Sequence, residues 1–148
     1  MLDRSKIGQQ FAPLVVPIES GRLKFFAKAI GETSPVYTDE AAARDAGYKN
    51  LPAPPTFAMV LDMESEADLP PEVELLQLDV GRILHGSQSF EYLGQMYAGD
   101  VITVRRTLVD IYDKKGGALE FVVTENTYTN QDDQLVAKTG CTLVYRNA

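Results

Sequence analysis

The sequence predicts an α+β domain in which a long antiparallel sheet curls about a central helix, and three observations point there. The first half, to about residue 70, reads as helices and loops. Three long segments of the second half alternate apolar and polar residues with period two. The segment from Thr56 to Met63 is apolar nearly all round, so it reads as a helix that something must wrap. The 148 residues are 45% hydrophobic and 24% charged, a composition suited to one domain spanning 1–148. A chain of this length buries roughly 68–70% of its unfolded surface, enough for a core without disulfides or structural metal.

Each element has its own signature. Between Glu19 and Ile30 the apolar residues Leu23, Phe26, Ala27 and Ile30 recur at three- and four-residue spacing, and Gly31 follows where a left-handed residue closes a helix. Thr38-Asp39-Glu40 supplies a hydroxyl cap and early acidic charge for a short second helix, which Ala41 to Ala43 propagate and Gly47 ends. Leu51-Pro52-Ala53-Pro54-Pro55 is extended, because each proline lacks an amide donor and biases its predecessor away from helix. The third helix follows over Thr56–Met63, with Pro70 and Pro71 beyond it to block extension, and a short run lies at Leu75 to Val80. Strands are expected over Asp100–Tyr112, Ala118–Thr129 and Leu135–Tyr145, joined by Lys114-Lys115-Gly116-Gly117 and Asn130–Gln134 into a meander. Strands of 11 to 13 residues reach about 36 to 44 Å at roughly 3.3 Å per residue. Such a sheet has to twist and curl, most simply around the third helix.

Composition excludes several functions. Fourteen Lys and Arg against twenty-one Asp and Glu give a net charge of −7, with no basic patch to displace phosphate counterions, so no nucleic-acid partner is expected. No run approaches the roughly 20 apolar residues of a membrane span, and Met1 to Gln10 lacks a signal-peptide core, so no membrane association and a cytoplasmic location are expected. One histidine, His85, and one cysteine, Cys141, leave no His/Cys cluster for a metal. Cys141 sits in the last strand with no basic neighbour beside it and reads as an inert buried thiol. Neither a P-loop nor a nucleophile elbow occurs.

The informative stretch is Phe25-Phe26-Ala27-Lys28-Ala29-Ile30-Gly31-Glu32-Thr33-Ser34-Pro35-Val36-Tyr37, followed by Ala46-Gly47-Tyr48 and then Leu51 to Phe57. It resembles the MaoC-like, (R)-specific enoyl-thioester hydratase/dehydratase family, in which a helix leads into G-D-x-N-P-x-H, an A-G-F/Y segment and a proline-bearing approach to a central helix. Residues 26–57 carry the resemblance, and Ala98-Gly99-Asp100 with the strand meander extends it. It implies the hot-dog fold. At the family's catalytic aspartate this chain has Glu32, at its asparagine Ser34, and at its catalytic histidine Tyr37. Reversible water addition to an enoyl thioester needs a base working near neutral pH; a tyrosine, with a pKa near 10, is a weak one. Glutamate keeps the charge but reaches one methylene further, and a displacement near 1 Å is expensive in rate. The standard dyad is absent.

With Ala53-Pro54-Pro55-Thr56-Phe57 before the central helix and His85-Gly86-Ser87-Gln88 later, the chain is most similar to the degenerate, fatty-acid-synthase-like N-terminal type and to HadA/HadC-type subunits of (R)-hydroxyacyl-ACP dehydratase. That resemblance implies pairing with a catalytic hot-dog chain and a centre loose enough for a long acyl group, with which Phe57, Met59, Val60 and Met63 are compatible; the same residues equally fill a core. His85, the one conventional base, either faces the pocket or caps a strand start. Glu32 and Tyr37 either act or simply pack. The backbone N–H groups of Thr56, Phe57 and Ala58 are candidates to hold a thioester carbonyl as enolate charge develops, Pro54 and Pro55 having none to offer; the Thr56 hydroxyl is alternatively a helix cap. Ser34 and Pro55 complete the expected substrate-binding set.

The resulting expectation is a substrate-binding subunit of an (R)-specific 3-hydroxyacyl-thioester dehydratase or enoyl-thioester hydratase, a hydro-lyase whose Asp and His come from a partner. Its ligand is an acyl-CoA or acyl-ACP thioester, and it forms a homodimer or a heterodimer with a catalytic MaoC-type subunit. No cofactor is expected, because this water addition needs acid–base and oxyanion help only. The competing expectations are a self-sufficient homodimeric hydratase using Glu32 or His85, a non-catalytic acyl-thioester binding protein, and thioesterase chemistry on the same fold.

Overall fold

A computed structural model describes residues 1–65 and 67–147. The chain runs β1 (Leu14–Pro17), α1 (Ser20–Ala29), α2 (Glu40–Asp45), α3 (Ala58–Asp62), α4 (Pro71–Leu75), β2 (Ile83–Tyr92), β3 (Val101–Lys114), β4 (Leu119–Thr129) and β5 (Leu135–Arg146). The strands make one antiparallel sheet in the order β1-β3-β4-β5-β2. The expected meander is thus its centre, and the short β1 and the ten-residue β2 are its edges.

The first two helices follow their sequence signals closely. α1 is flanked by Glu19 and Ile30 and buries Leu23 and Ala27, and Gly31 follows at φ 74°. α2 is capped by the Asp39 carboxylate, which accepts from the Ala41 and Ala42 amides at 2.8 and 3.0 Å, in place of the expected Thr38 hydroxyl. The third helix is shorter than expected. Thr56 has φ 71° and cannot be helical, so only Ala58–Asp62 forms α3. Pro54 and Pro55 force a turn there, and a β-branched residue takes its left-handed position at a cost in strain. Pro70 and Pro71, expected to block a helix, open one: Pro71 occupies the first turn of α4, where its missing N–H costs nothing.

Along β4 every second residue is buried, namely Glu120, Val122, Thr124, Asn126 and Tyr128. These share one face of the strand, and Tyr128 at one end of the row packs with Ala58 and Leu61 of α3. Leu23, Leu51, Phe57 and Leu61 pack there with Ile102, Val104, Tyr128 and Val136. Each large side chain fully buried in this way contributes about 1.5–3 kcal/mol. A second core, of Val73 on α4 with Leu108, Ile111 and Val122, lies further along the same strands. Arg106 stands between Val104 of one core and Leu108 of the other, and Asn126 between Tyr128 and Val122, so the seam between the two cores is polar.

β2 carries a bulge between His85 and Ser87. Gly86 is required there, because a Cβ would sit 2.8 Å from Val144 Cγ2 and 3.0 Å from the Thr142 carbonyl oxygen. Among the described residues no helix is long and apolar enough to cross a membrane.

Candidate functional site

The loop after α1 is built by its own backbone. Glu32 N–H donates to the Ala27 carbonyl at 2.9 Å, and the Glu32 carboxylate turns back to accept from Ser34 N–H at 2.8 Å. Ser34 then precedes a single 3-10 turn, Pro35–Tyr37. Partial burial raises the Tyr37 hydroxyl above its ordinary pKa of 10, and nearby Tyr48 and the Glu32 charge push the same way. Tyr37 is therefore a neutral phenol at physiological pH, able to donate and accept hydrogen bonds but a poor general base.

The approach to α3 is rigid. Ala53 N–H donates to the Met96 carbonyl at 2.8 Å, and Gln95 Nε2 donates to the Ala53 carbonyl at 3.1 Å. Of the three amides considered for a thioester carbonyl, Thr56 N–H is held by the Tyr92 hydroxyl at 2.9 Å and Phe57 N–H by the Pro54 carbonyl at 3.1 Å. Ala58 N–H has no protein acceptor among the described residues. Pro55 and Thr56 are exposed, and Phe57 is buried edge-on against Phe26 at 5.4 Å. Ala98-Gly99-Asp100 is a structural turn: Gly99 has φ 90°, and Asp100 accepts from Tyr97 N–H, Lys49 Nζ and Gln131 Nε2 at 2.9–3.2 Å.

A pocket of about 330 Å³ opens beside the end of α3. Met59 and Met63 contribute from α3 and its C-terminal end, Leu69 and Pro70 from the approach to α4, and Cys141 and Leu143 from β5. His85 and Gln88, whose side chains meet at 3.2 Å (Nε2 to Oε1), line it from β2, where His85 is exposed. At the inner wall stand Asp62, Glu72 and Arg106. The Asp62 carboxylate accepts from the Tyr128 hydroxyl on one oxygen and from Asn126 Nδ2 at 2.7 Å on the other. Arg106 donates through Nη1 to Glu72 at 3.0 Å and through Nε to Asn126 Oδ1 at 3.1 Å, while its Nη2 lies 3.9 Å from Asp62. The Tyr128 hydroxyl also meets Thr139 Oγ1 at 3.0 Å.

Burial pushes the Asp62 carboxyl up to about 6, and the Glu72 charge adds to it; the Tyr128 hydroxyl, Arg106 and Asn126 oppose the rise without cancelling it. Burial and the Asp62 charge raise Tyr128 well above its ordinary value, and burial raises the Cys141 thiol. Sequence reasoning passed over Asp62, Glu72, Arg106, Asn126, Tyr128 and Thr139. Their trace was present as polar residues at inward positions of alternating strands, and as one aspartate inside an otherwise apolar helix.

The family model for the FAS1-like dehydratase domain region matches residues 5–139. The chain belongs to the FAS1-like dehydratase-region family. A relative from Thermobifida fusca (strain YX), a UPF0336 protein, is 39% identical over 120 residues, which is 80% of this chain and 78% of its own length. In a crystal structure of the C-terminally truncated HadBC (3R-hydroxyacyl-ACP dehydratase) complex from Mycobacterium tuberculosis, one chain is 28% identical with a TM-score of 0.75, over 93% of this chain and 96% of that one. A MaoC-like dehydratase, 23% identical, superposes with a TM-score of 0.85 over 97% of this chain and 43% of its own.

The fold is the MaoC-like hot-dog, as the sequence led one to expect. In this dehydratase-region chain Glu32, Ser34 and Tyr37 form one local turn, whereas His85, Met59 and Met63 line the pocket with Asp62. The turn offers a phenol and a carboxylate already bonded to a backbone amide. The pocket offers apolar walls and the charged Asp62–Glu72–Arg106 cluster, and Ser65, Asp68, His85 and Gln88 add polar lining.

Proposed function

We propose that this chain is the degenerate, substrate-binding subunit of an (R)-specific 3-hydroxyacyl-thioester dehydratase or enoyl-thioester hydratase. It holds an acyl-CoA or acyl-ACP thioester while a second hot-dog chain supplies the catalytic Asp and His, in the cytoplasm. The observation that carries this reading is Tyr37, a phenol kept neutral by burial and by the Glu32 charge at the position where the family resemblance calls for a base. Likeness to a chain of the HadBC complex supports a paired hot-dog assembly. So does the free edge of β2, ten residues long with exposed Leu84 and Tyr92, because an open edge of that length invites pairing with another strand. Ala58 is fully buried and lines neither pocket, so the thioester carbonyl is left to groups at the pocket mouth or on the partner chain.

The test is reconstitution. The purified chain is expected to hydrate crotonyl-CoA at least a hundredfold more slowly than its mixture with a MaoC-type partner carrying an intact G-D-x-N-P-x-H. Equal rates with and without the partner would contradict the division of labour.

A second reading rests on one observation, the presence of His85 and Asp62 on the same pocket. It makes the chain a self-sufficient hydratase. It requires His85→Ala to lower turnover at least tenfold in the purified assembly, and an unchanged rate removes it.

A further inference from the structure

The inner wall of the 330 Å³ pocket is not the end of empty space. A second pocket of about 190 Å³, lined by Phe11, Leu14 and Val104, adjoins it, and Asp62, Ser65, Pro71 and Arg106 line both. A polar partition therefore divides what would otherwise be one longer apolar channel. We propose that Asp62, Glu72 and Arg106 set acyl specificity, ending the pocket on a wall that takes a short acyl group with a hydroxyl at its far end and turns away a long alkyl chain. This rests on the acyl-thioester reading above and names its substrate class.

The geometry favours a neutral group that both donates and accepts. Nη2 of Arg106 and Oδ2 of Asp62 are 3.9 Å apart, too far for a hydrogen bond and close enough for one oxygen to bridge. A hydroxyl there donates to the carboxylate and accepts from the guanidinium. The Nε and Nη1 groups of Arg106 are already engaged by Asn126 and Glu72, so Nη2 is the donor left for a ligand. An anionic end meets two carboxylates against one guanidinium and is repelled. A methyl end covers buried polar atoms without bonding to them, which is unfavourable. The bulky hydrophilic carrier has to stay at the mouth near exposed His85 and Gln88, so it is the far end of the acyl group that reaches the wall. The side chains of Asp62 and Glu72 are only 10% and 3% exposed, so the wall cannot swing into solvent to let a longer chain pass.

The test is calorimetric binding of hexanoyl-CoA, 6-hydroxyhexanoyl-CoA and dodecanoyl-CoA to the full chain in its native assembly. The wild type is expected to bind the hydroxylated ester at least tenfold more tightly than either alkyl ester. The triple variant Asp62→Leu/Glu72→Leu/Arg106→Met replaces all three charges together and leaves none unpaired; it is expected to reverse the order and favour dodecanoyl-CoA. If that variant does not fold, the wild-type ratio decides alone. Equal binding of the two six-carbon esters, or tighter binding of dodecanoyl-CoA by the wild type, overturns the inference and leaves the acyl-thioester reading standing. Binding of none of the three overturns both.

Discussion

Replacing Asp62 by asparagine tests the energetics of the partition through pH. The Asp62 carboxyl stands near 6 in the folded chain against an ordinary 3.8, so the folded state holds this proton more tightly than the unfolded state does. Stability therefore falls as pH rises through the window from about 4 to 6, and the penalty is fully present above it. At about 1.4 kcal/mol per pH unit, the ionised carboxylate costs the fold about 3 kcal/mol relative to the neutral acid. The charged and titratable groups facing it are Arg106 from β3, Glu72 from α4 and Tyr128 from β4. The Glu72 charge works against ionisation, whereas Arg106 and the Tyr128 hydroxyl favour it. The Asp62→Asn variant has no group to titrate at this position. Whatever fixed cost its amide brings, its stability relative to wild type should improve by about 2 kcal/mol between pH 4 and pH 7, the unfolded carboxyl being already partly ionised at pH 4. Urea unfolding at half-unit pH steps and one protein concentration reads this directly. A difference that stays flat across the window, or that moves in favour of the wild type as pH rises, would refute the reasoning.

Arg106→Met alone strands Asp62 and Glu72 without their cation and should destabilise the chain by about 3–5 kcal/mol, whereas the Leu/Leu/Met triple replacement leaves only the neutral Asn126 amide short of a partner and should cost less, about 1–3 kcal/mol in denaturant unfolding; equal losses in the two would show that the charges are not coupled. Gly86→Ala places a methyl 2.8 Å from Val144 Cγ2 and 3.0 Å from a backbone oxygen, and should cost about 1–3 kcal/mol in thermal or urea unfolding through displacement of β2 from β5. Tyr128→Phe removes a donor from buried Asp62 and should cost about 1–3 kcal/mol at pH 7, with a smaller loss at pH 4, where Asp62 is neutral.

The parts of the fold that could be read from sequence are those whose physics is local. α1 and α2 announce themselves through apolar spacing and end signals, and β3 to β5 through alternation over 11 to 14 residues. β1 hides because it has four residues, is bounded by Pro13 and Pro17, and pairs on one side only. β2 is partly concealed: its burial barely alternates, since most of the strand is exposed at the edge of the sheet. α3 is shorter than its apolar pattern because the left-handed backbone at Thr56 answers to the Pro54-Pro55 turn, which helical pattern does not register. For the site, the Gly31–Tyr37 stretch was visible as a contiguous motif. The Asp62 network was not, because its members lie far apart in sequence: Asn126 is 64 residues from Asp62, and Arg106 is 34 from Glu72. Only tertiary folding brings polar residues from two helices and three strands to the same seam.

The most direct measurement takes one sample of the purified chain and asks two things of it: equilibrium binding of crotonyl-CoA by calorimetry, and hydration of the same ester followed by loss of enoyl absorbance. Measurable binding is expected, with turnover at least a hundredfold below that of an intact MaoC-type hydratase. Turnover at the intact relative's rate, abolished by Tyr37→Phe or Glu32→Gln, would contradict it.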